Sequence, residues 1–109
     1  MDLKADAVFV ANDNCAASCM NEIKRRGIKV PDQIAFAGFN NDMISRNINP
    51  ALTTVNYPGF EMVEIAARNL LGHLEGTIDV YATTKITIDS NLTIRSSSSV
   101  KRTEMSEFQ

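Results

Sequence analysis

Two short apolar runs on either side of one helical pattern constrain the fold of this chain more than any other feature. Residues 7–11 and residues 34–38 are almost wholly apolar, which is typical of strands buried on both faces. Between them, residues 12–14 offer three successive N-cap side chains, and Gly27 and Pro31 end the helix that follows. The apolar residues of that helix recur at helical spacing and form one stripe, made of Ala16, Cys19, Met20 and Ile23. This order predicts a βαβ unit with parallel strands in an α/β domain.

The middle of the chain carries one strong helix and a weaker strand signal. Polar residues 39–50 have no period and predict a loop leaving the carboxyl end of a strand, and residues 52–55 favour a short strand. Pro58 suits the first turn of the next helix, which we predict over residues 60–74 and which Gly76 ends. Its apolar stripe is wide and consists of Val63, Ala66, Ala67, Leu70, Leu71 and Leu74.

Strict alternation followed by a polar tail marks the end of the chain. Residues 86–94 predict an extended strand, although residues 89–91 could instead form the turn of a hairpin. The polar residues 97–109 offer too little apolar surface to offset the entropy of ordering, so we expect a disordered tail. Ligands bind beyond the carboxyl ends of strands in open α/β sheets. The candidate site therefore comprises residues 12–13 and 39–41, which follow the first two strands.

The charge balance argues against direct nucleic-acid binding by this chain. It has 11 Lys and Arg residues against 13 Asp and Glu residues, for a net charge of -2, whereas phosphate neutralisation requires a basic surplus or stripe. The densest basic cluster, Lys24-Arg25-Arg26, falls at the end of the first predicted helix. Positive charge there complements the helix dipole. We therefore expect that the chain by itself does not hold DNA.

The cysteines and the single histidine give no sign of a metal or cofactor. Cys15 and Cys19 have i,i+4 spacing, which is not a metal-ligand motif, and His73 lies far along the chain. Reduced thiols, with Cys19 packed in the helix stripe, are typical of a cytoplasmic protein. No stretch approaches the ~18 apolar residues that span a membrane, and residues 1–4 lack the order of a secretory signal. We expect a cytoplasmic protein without a membrane partner, a metal or a cofactor.

The sequence shows no catalytic arrangement. His73 lies near the end of a helix without an obvious partner, and Asp13 and Asp42 follow strands but belong to no motif that implies a reaction. Neither a phosphate-binding loop nor a GxGxxG motif is present. We predict that the protein is not an enzyme.

Six runs of residues carry a resemblance at matching spacings across about residues 5–96. They are Val8–Asp13, Gly27–Pro31, Ile34–Phe39, Pro50–Val55, Phe60–Ala67 and Leu92–Ser96. In this order they resemble the LacI/GalR (lactose and galactose repressor) family of transcription regulators. The resemblance implies a type I periplasmic-binding-protein-like fold, partial in this chain, with an open and mostly parallel sheet flanked by helices.

The same resemblance implies an organisation and a set of partners. Members have two α/β subdomains with a small sugar-like effector in the cleft between them. They form homodimers or higher homo-oligomers, and they bind operator DNA through an N-terminal helix-turn-helix headpiece, which this sequence does not include. On this basis residues 1–96 are the C-terminal part of the effector-binding domain. Within it, 1–55 are the C-terminal subdomain, 56–84 the crossover helix segment and 85–96 the returning strand.

Four candidate ligand-binding residues follow from the resemblance. Asn12 matches a position whose side chain commonly bonds a sugar hydroxyl, although it also suits the helix N-cap. Asp13 can act in the same site, as a cap, or as the partner of a backbone amide. Asn40 stands where the family often has Asp, and its uncharged amide suits an acidic or phosphorylated sugar as well as a turn. Tyr57 matches a hinge position where a ring could stack on a sugar or pack against Pro58.

A second set of residues matches the family's subunit interface, on the first helix and in the loop after the second strand: Ala17, Asn21, Arg25, Asn47 and Ile48. The alternative function is the sugar-binding protein of an ABC transporter, which shares the fold but carries a signal peptide. The order of the family runs favours the regulator.

Overall fold

The computed structural model describes residues 4–82 and 85–99, which fall into two compact units. Among these residues, one unit runs to Asn56 and resumes at Asn91, and the other is Tyr57–Ser90. The first unit contains the sheet with its two covering helices, and the second contains one long helix. The assignment of residues 1–55, 56–84 and 85–96 to family subdomains stays a prediction.

The first unit is a small α/β sheet. Its elements are β1 (Ala7–Phe9), α1 (Asp13–Arg25), β2 (Ala35–Phe39), α2 (Met43–Asn47), β3 (Thr53–Asn56) and β4 (Asn91–Thr93). The strand order is β1-β2-β3-β4, with β1 parallel to β2, β2 parallel to β3, and β4 antiparallel to β3. The predicted βαβ unit and the open, mostly parallel sheet are confirmed. The buried apolar residues at the centre of this unit are Ala16, Met20, Phe36 and Leu52.

Local signals determine where α1 begins and ends. Asn12 is the N-cap, and its Oδ1 accepts hydrogen bonds from the backbone amides of Asn14 (2.9 Å) and Cys15 (3.2 Å). After Arg26, Gly27 has a φ of 82°, a left-handed conformation that glycine adopts at low cost. One part of the predicted stripe is wrong. Cys19 is exposed as a free thiol, because Ala16 and Met20 already fill the space against the sheet.

The prediction that the first strand is buried on both faces is also wrong. Phe9 is 63% exposed, and Val8 is the only half-buried residue of β1. Val8 packs against the core that contains Ala16 and Met20, whereas Ala7 and Phe9 lie on the opposite face of this edge strand. A strand at an edge, with a helix packed over one face only, leaves its other face open to solvent.

Residues 39–50, predicted as a loop, contain the short helix α2 at Met43–Asn47. The hydroxyl of Ser45 in its first turn donates to the carbonyl of Asp42 at 2.6 Å, and the backbone amide of Ser45 bonds the same carbonyl. A helix of five residues is shorter than two turns, so the sequence shows no apolar period that would reveal it.

The long strand predicted over residues 86–94 is shorter in the structure, and the hairpin alternative is wrong. Only Asn91–Thr93 form a strand, and they pair with β3 from Asn56 back to Thr54. Residues 85–90 have no regular secondary structure. Pairing ends where the partner strand ends, and β3 itself is only four residues long.

The tail prediction fails at its first residue. Ser97 is completely buried, its hydroxyl donates to the carbonyl of Phe36 (2.6 Å), and it accepts from the backbone amide of Thr53 (2.8 Å). The backbone of Ser97 also bonds Phe36 and Ala51. These hydrogen bonds, not apolar burial, order the segment through Ser99. Residues 100–109 lie outside the described residues, so their predicted disorder stays a prediction.

The second unit is built around α3 (Gly59–Glu75), which confirms the helix predicted over 60–74. Pro58 takes the N-cap position, one residue before the first turn, and Gly76 ends the helix with a φ of 81°. The predicted apolar stripe is largely exposed in this chain. Leu74 is 71% and Val63 is 70% exposed, and Leu70 and Leu71 are each more than half exposed.

Candidate effector site at the carboxyl ends of the strands

The segments that follow β1 and β2 meet β3 around one buried carboxylate. Asp13, the first residue of α1, has no exposed surface. Its Oδ1 accepts a hydrogen bond from the Thr54 hydroxyl at 2.7 Å, and its Oδ2 accepts one from the Asp42 backbone amide at 2.7 Å. A buried carboxylate requires such partners, because an unpaired charge is costly away from water. Asp13 therefore joins the end of β1 to β3 and to the loop after β2.

The close packing of Asp13 on β2 depends on Gly38. A Cβ added at Gly38 would collide with Asp13 Oδ1 and lie 2.9 Å from Cδ2 of Leu52. Both neighbours are wholly buried, so neither can move aside freely. The glycine thus supplies the space that lets a carboxylate sit against the sheet.

The loop after β2 has an unusual backbone conformation. Asn40 has a φ of 120° and Asn41 a φ of 55°, both in a region that residues other than glycine seldom adopt. The backbone amides of both residues bond β3: Asn40 to the carbonyl of Val55 (3.0 Å) and Asn41 to the hydroxyl of Thr54 (3.2 Å). The Asn40 side-chain amide donates to Asp42 Oδ1. Strained backbone held by several partners is often found at functional sites.

Asn12 lies next to this loop in the fold because it precedes Asp13 directly. It is exposed, and its side-chain oxygen serves the N-cap of α1. Within the described part of the chain, its side-chain nitrogen has no hydrogen-bond partner. The side chain can thus cap the helix through its oxygen and still donate to a ligand through its nitrogen. The cap and ligand roles considered from the sequence are compatible.

The other three predicted ligand-binding residues lie in different surroundings. Asp13 is a partner of distant groups rather than the cap, and Asn40, half-buried, lies in the loop beside it. These two and Asn12 come together at one edge of the first unit. Tyr57 belongs to the second unit, where it is half-buried just before α3. Its ligand role stays a prediction.

Sequence reasoning missed three polar residues of this region. Thr54 is wholly buried between Asp13 and Asn41, Ser45 is buried on α2, and Arg95 reaches the same loop from beyond β4. Threonine and serine are ordinary in strands and helix starts, so neither gave a signal. Arg95 did give one, since it is a charged residue directly after an alternating apolar segment.

The predicted interface residues lie around a groove between α1 and α2. The groove has a volume of about 380 Å³, and Ala17, Asn21 and Ile48 line it together with Ser18, Met20, Lys24, Ile44 and Asn49. Lys24 Nζ donates to the Asn49 carbonyl across it. Arg25 points to Glu22 in an exposed ion pair of 2.7 Å, and Asn47 is exposed at the end of α2. Neither of these two lines the groove.

Over residues 4–82 and 85–99, no group of three or more His, Cys, Asp or Glu side chains is placed to hold a metal ion. Among the same residues, no helix is long and apolar enough to cross a membrane.

Comparison with known proteins identifies a matching family model and relatives that agree with it. Residues 1–98 match the family model of the periplasmic binding protein-like domain. The chain is 40% identical over 82 residues to the HTH-type transcriptional regulator GalS of Salmonella typhimurium, covering 75% of this chain and 24% of that protein. It is 32% identical over 76 residues to a lactose operon repressor of Rhizobium radiobacter, covering 70% of this chain and 67% of that protein.

A solved structure supports the same relationship. The complex of the transcriptional regulator CelR with cellobiose superimposes with a TM-score of 0.76 at 27% identity, over 86% of this chain and 28% of that chain. The chain therefore spans about a quarter of the length of the Salmonella relative and of this solved structure.

Proposed function

The chain belongs to the periplasmic binding protein-like domain family and, within it, to the relatives of the lactose and galactose repressors, and on that premise we propose that it is part of the effector-binding and dimerisation core of a bacterial transcription regulator. The effector is a small sugar or sugar derivative. Its binding modulates operator DNA binding by a helix-turn-helix headpiece outside these residues. The regulator works in the cytoplasm, without a cofactor and without catalysing a reaction.

The observation that carries the proposal is the polar edge formed by Asn12 and Asn40. Asn12 presents a side-chain nitrogen that has no partner in the described part of the chain, at the edge where α/β sheets bind ligands. Asn40 lies in the strained loop that Asp13 ties to this edge. Amide groups of this kind can donate to and accept from sugar hydroxyls. The CelR complex with cellobiose, a similar structure, agrees with a saccharide ligand.

Asn40 also bears on which sugars the site accepts. A carboxylate at this position would repel an acidic or phosphorylated sugar, whereas an amide does not. We therefore propose that position 40 itself does not exclude a negatively charged effector; the carboxylate beside it is that of Asp42, whose Oδ1 accepts from the Asn40 amide. Asp13 does not contact the effector in this proposal, because both its oxygens are already bonded inside the sheet. Tyr57 is assigned an aromatic contact with the effector on the resemblance alone.

The dimer interface is proposed at the α1–α2 groove. Ala17, Asn21 and Ile48 line it, and it combines apolar side chains with the polar groups of Lys24 and Asn49. Arg25 and Asn47 then belong to the rim, where exposed charged and polar groups are usual.

Two measurements test the proposed function. The gene sequence upstream of Met1 should encode a helix-turn-helix headpiece, whereas a signal peptide would indicate the transporter alternative. Titration calorimetry of the polypeptide from the complete gene should then detect binding of at least one neutral, acidic or phosphorylated sugar. The absence of heat with all three classes would contradict an effector of this chemistry.

A further inference from the structure

Arg95 makes a three-pronged contact with the loop that carries Asn40. Its Nη2 donates to Asn41 Oδ1 at 2.8 Å, and its Nη1 donates to Ser45 Oγ at 2.9 Å and to the Leu52 carbonyl at 3.0 Å. One guanidinium thus joins the loop, the first turn of α2 and the residue that precedes β3. A planar guanidinium with several fixed donors can do this, while a lysine ammonium is a single point of contact.

The backbone of Arg95 is itself fixed. Its amide donates to the Thr53 hydroxyl at 2.8 Å, and that hydroxyl donates to the Arg95 carbonyl at 3.0 Å. Two residues later, buried Ser97 bonds the chain to Phe36 and Thr53. The half-buried Arg95 side chain therefore extends from an anchored segment and is not a freely moving surface group.

Asn41, which accepts a hydrogen bond from Arg95, has an unfavourable backbone conformation. Asn41 has a φ of 55°, and Asn40 before it has a φ of 120°. Both conformations cost free energy and persist only where surrounding contacts hold them. Asn41 Oδ1 accepts from Arg95 at 2.8 Å and lies 3.3 Å from Ser45 Oγ, and the Asn41 side-chain nitrogen donates to Asn56 Oδ1 at 3.3 Å. The side chain of Asn41 is thereby held on both sides. Its fixed orientation sets the backbone that leads from Asn40 to Asp42.

We propose that Arg95 is a positioning residue for the effector site, which it serves through Asn41 and Ser45 without touching the effector. By holding Asn40 and Asn41 in their positive-φ conformations, Arg95 keeps Asn40 where it can meet the ligand. The inference rests on the proposed function above. It adds a determinant of effector affinity that lies in the segment after β4, far along the chain from Asn12 and Asn40.

The first arm of the test needs no effector. Amide hydrogen exchange by NMR is compared between wild-type protein from the complete gene, Arg95→Gln and Arg95→Lys. Arg68→Gln is the matched control, because Arg68 is exposed and, among residues 4–82 and 85–99, its one ion-pair partner is Glu64 on α3. We expect faster exchange at the Asn41 and Asp42 amides in Arg95→Gln, a partial effect in Arg95→Lys, and none in the control. Unchanged protection of both amides in Arg95→Gln would overturn the inference.

The second arm measures affinity by calorimetry with D-galactose, D-gluconate, glucose 6-phosphate and cellobiose as probes. For a probe that binds wild type, Arg95→Gln should weaken binding about tenfold, the effect of losing hydrogen bonds to a charged donor. Asn41→Gly removes the side chain to which Arg95 donates, and glycine adopts a positive φ at low cost. In that background, Arg95→Gln should weaken binding only about twofold, because contacting residues are not additive.

The possible results distinguish failure of the positioning role of Arg95 from failure of the proposed effector-binding function. A purely structural Arg95 would lower the melting temperature and leave the affinity of folded protein unchanged, which would refute the positioning role. Equal losses in the wild-type and Asn41→Gly backgrounds would refute it as well. If Arg95→Gln does not fold, Ser45→Ala, which removes one acceptor of the same guanidinium, should weaken binding in its place. Wild-type protein that binds none of the four probes would refute the proposed function, while the exchange arm still decides whether Arg95 holds the loop.

Discussion

Replacing Thr54 by valine removes one hydroxyl beside Asp13 in the candidate site and leaves the shape of the side chain almost unchanged. Thr54 is wholly buried, donates to Asp13 Oδ1 at 2.7 Å and accepts from the Asn41 amide at 3.2 Å. In Thr54→Val both partners lose a hydrogen bond, and the carboxylate oxygen stays buried without a replacement. The free energy of unfolding should fall as a result.

The magnitude follows from the two bonds. A hydrogen bond to a charged group is worth about 1.5–3 kcal/mol, and one between neutral groups about 0.5–1.5 kcal/mol. The two share one hydroxyl, so we expect a combined loss of about 2–4 kcal/mol. Because a domain is stable by only about 5–15 kcal/mol, such a loss is easily measured.

Urea denaturation of the polypeptide from the complete gene, followed by circular dichroism, measures this loss. Thr93→Val is the matched control, since Thr93 pairs with Thr54 across β3 and β4 and is half-buried. In the described part of the chain its hydroxyl makes no hydrogen bond, so Thr93→Val should change the unfolding free energy by less than about 0.5 kcal/mol. If the two variants differ by less than that amount, the argument that Asp13 depends on Thr54 is refuted.

Of three further predictions, the first concerns the polypeptide from the complete gene and the other two concern residues 1–109 by themselves. Asn12→Ser keeps an N-cap oxygen but removes the side-chain amide, so it should weaken effector binding about threefold to tenfold at nearly constant stability. Asn40→Ala should weaken effector binding by the same factor. If calorimetry finds unchanged affinity in both variants, neither residue belongs to the site. Residues 1–109 alone, with a net charge of -2, should show no sequence-specific DNA retention in a gel shift at moderate salt, and specific retention would contradict this. The same chain should self-associate at micromolar concentration in analytical ultracentrifugation, because it exposes the apolar stripe of α3. The largest exposed residues of the stripe are Val63, Leu70, Leu71 and Leu74. A monodisperse monomer with a sharp thermal transition would contradict this prediction.

Several elements of the first unit were determined by the sequence alone, because their signals are local. The cap at Asn12 and the stop at Gly27 are interactions between residues within one helical turn, so composition and spacing reveal them. The parallel arrangement of β1 and β2 follows from the strand-helix-strand order. That arrangement in turn brought Asn12 and Asn40 to one edge, so their proximity was predictable, while their role as a ligand site stays a prediction.

The polar contacts that shape the site were decided by the tertiary structure. Thr54 bonds Asp13 across 41 positions, Arg95 bonds Asn41 across 54, and Ser97 bonds Phe36 across 61. A hydroxyl or guanidinium has no periodicity that marks its partner, and many residues along the chain could serve. Only the pairing of β4 with β3 brings the segment after Thr93 to the start of β3. Burial then makes the Thr54–Asp13 and Ser97–Phe36 hydrogen bonds obligatory, because an unpaired polar group inside the sheet has no water to replace its partner.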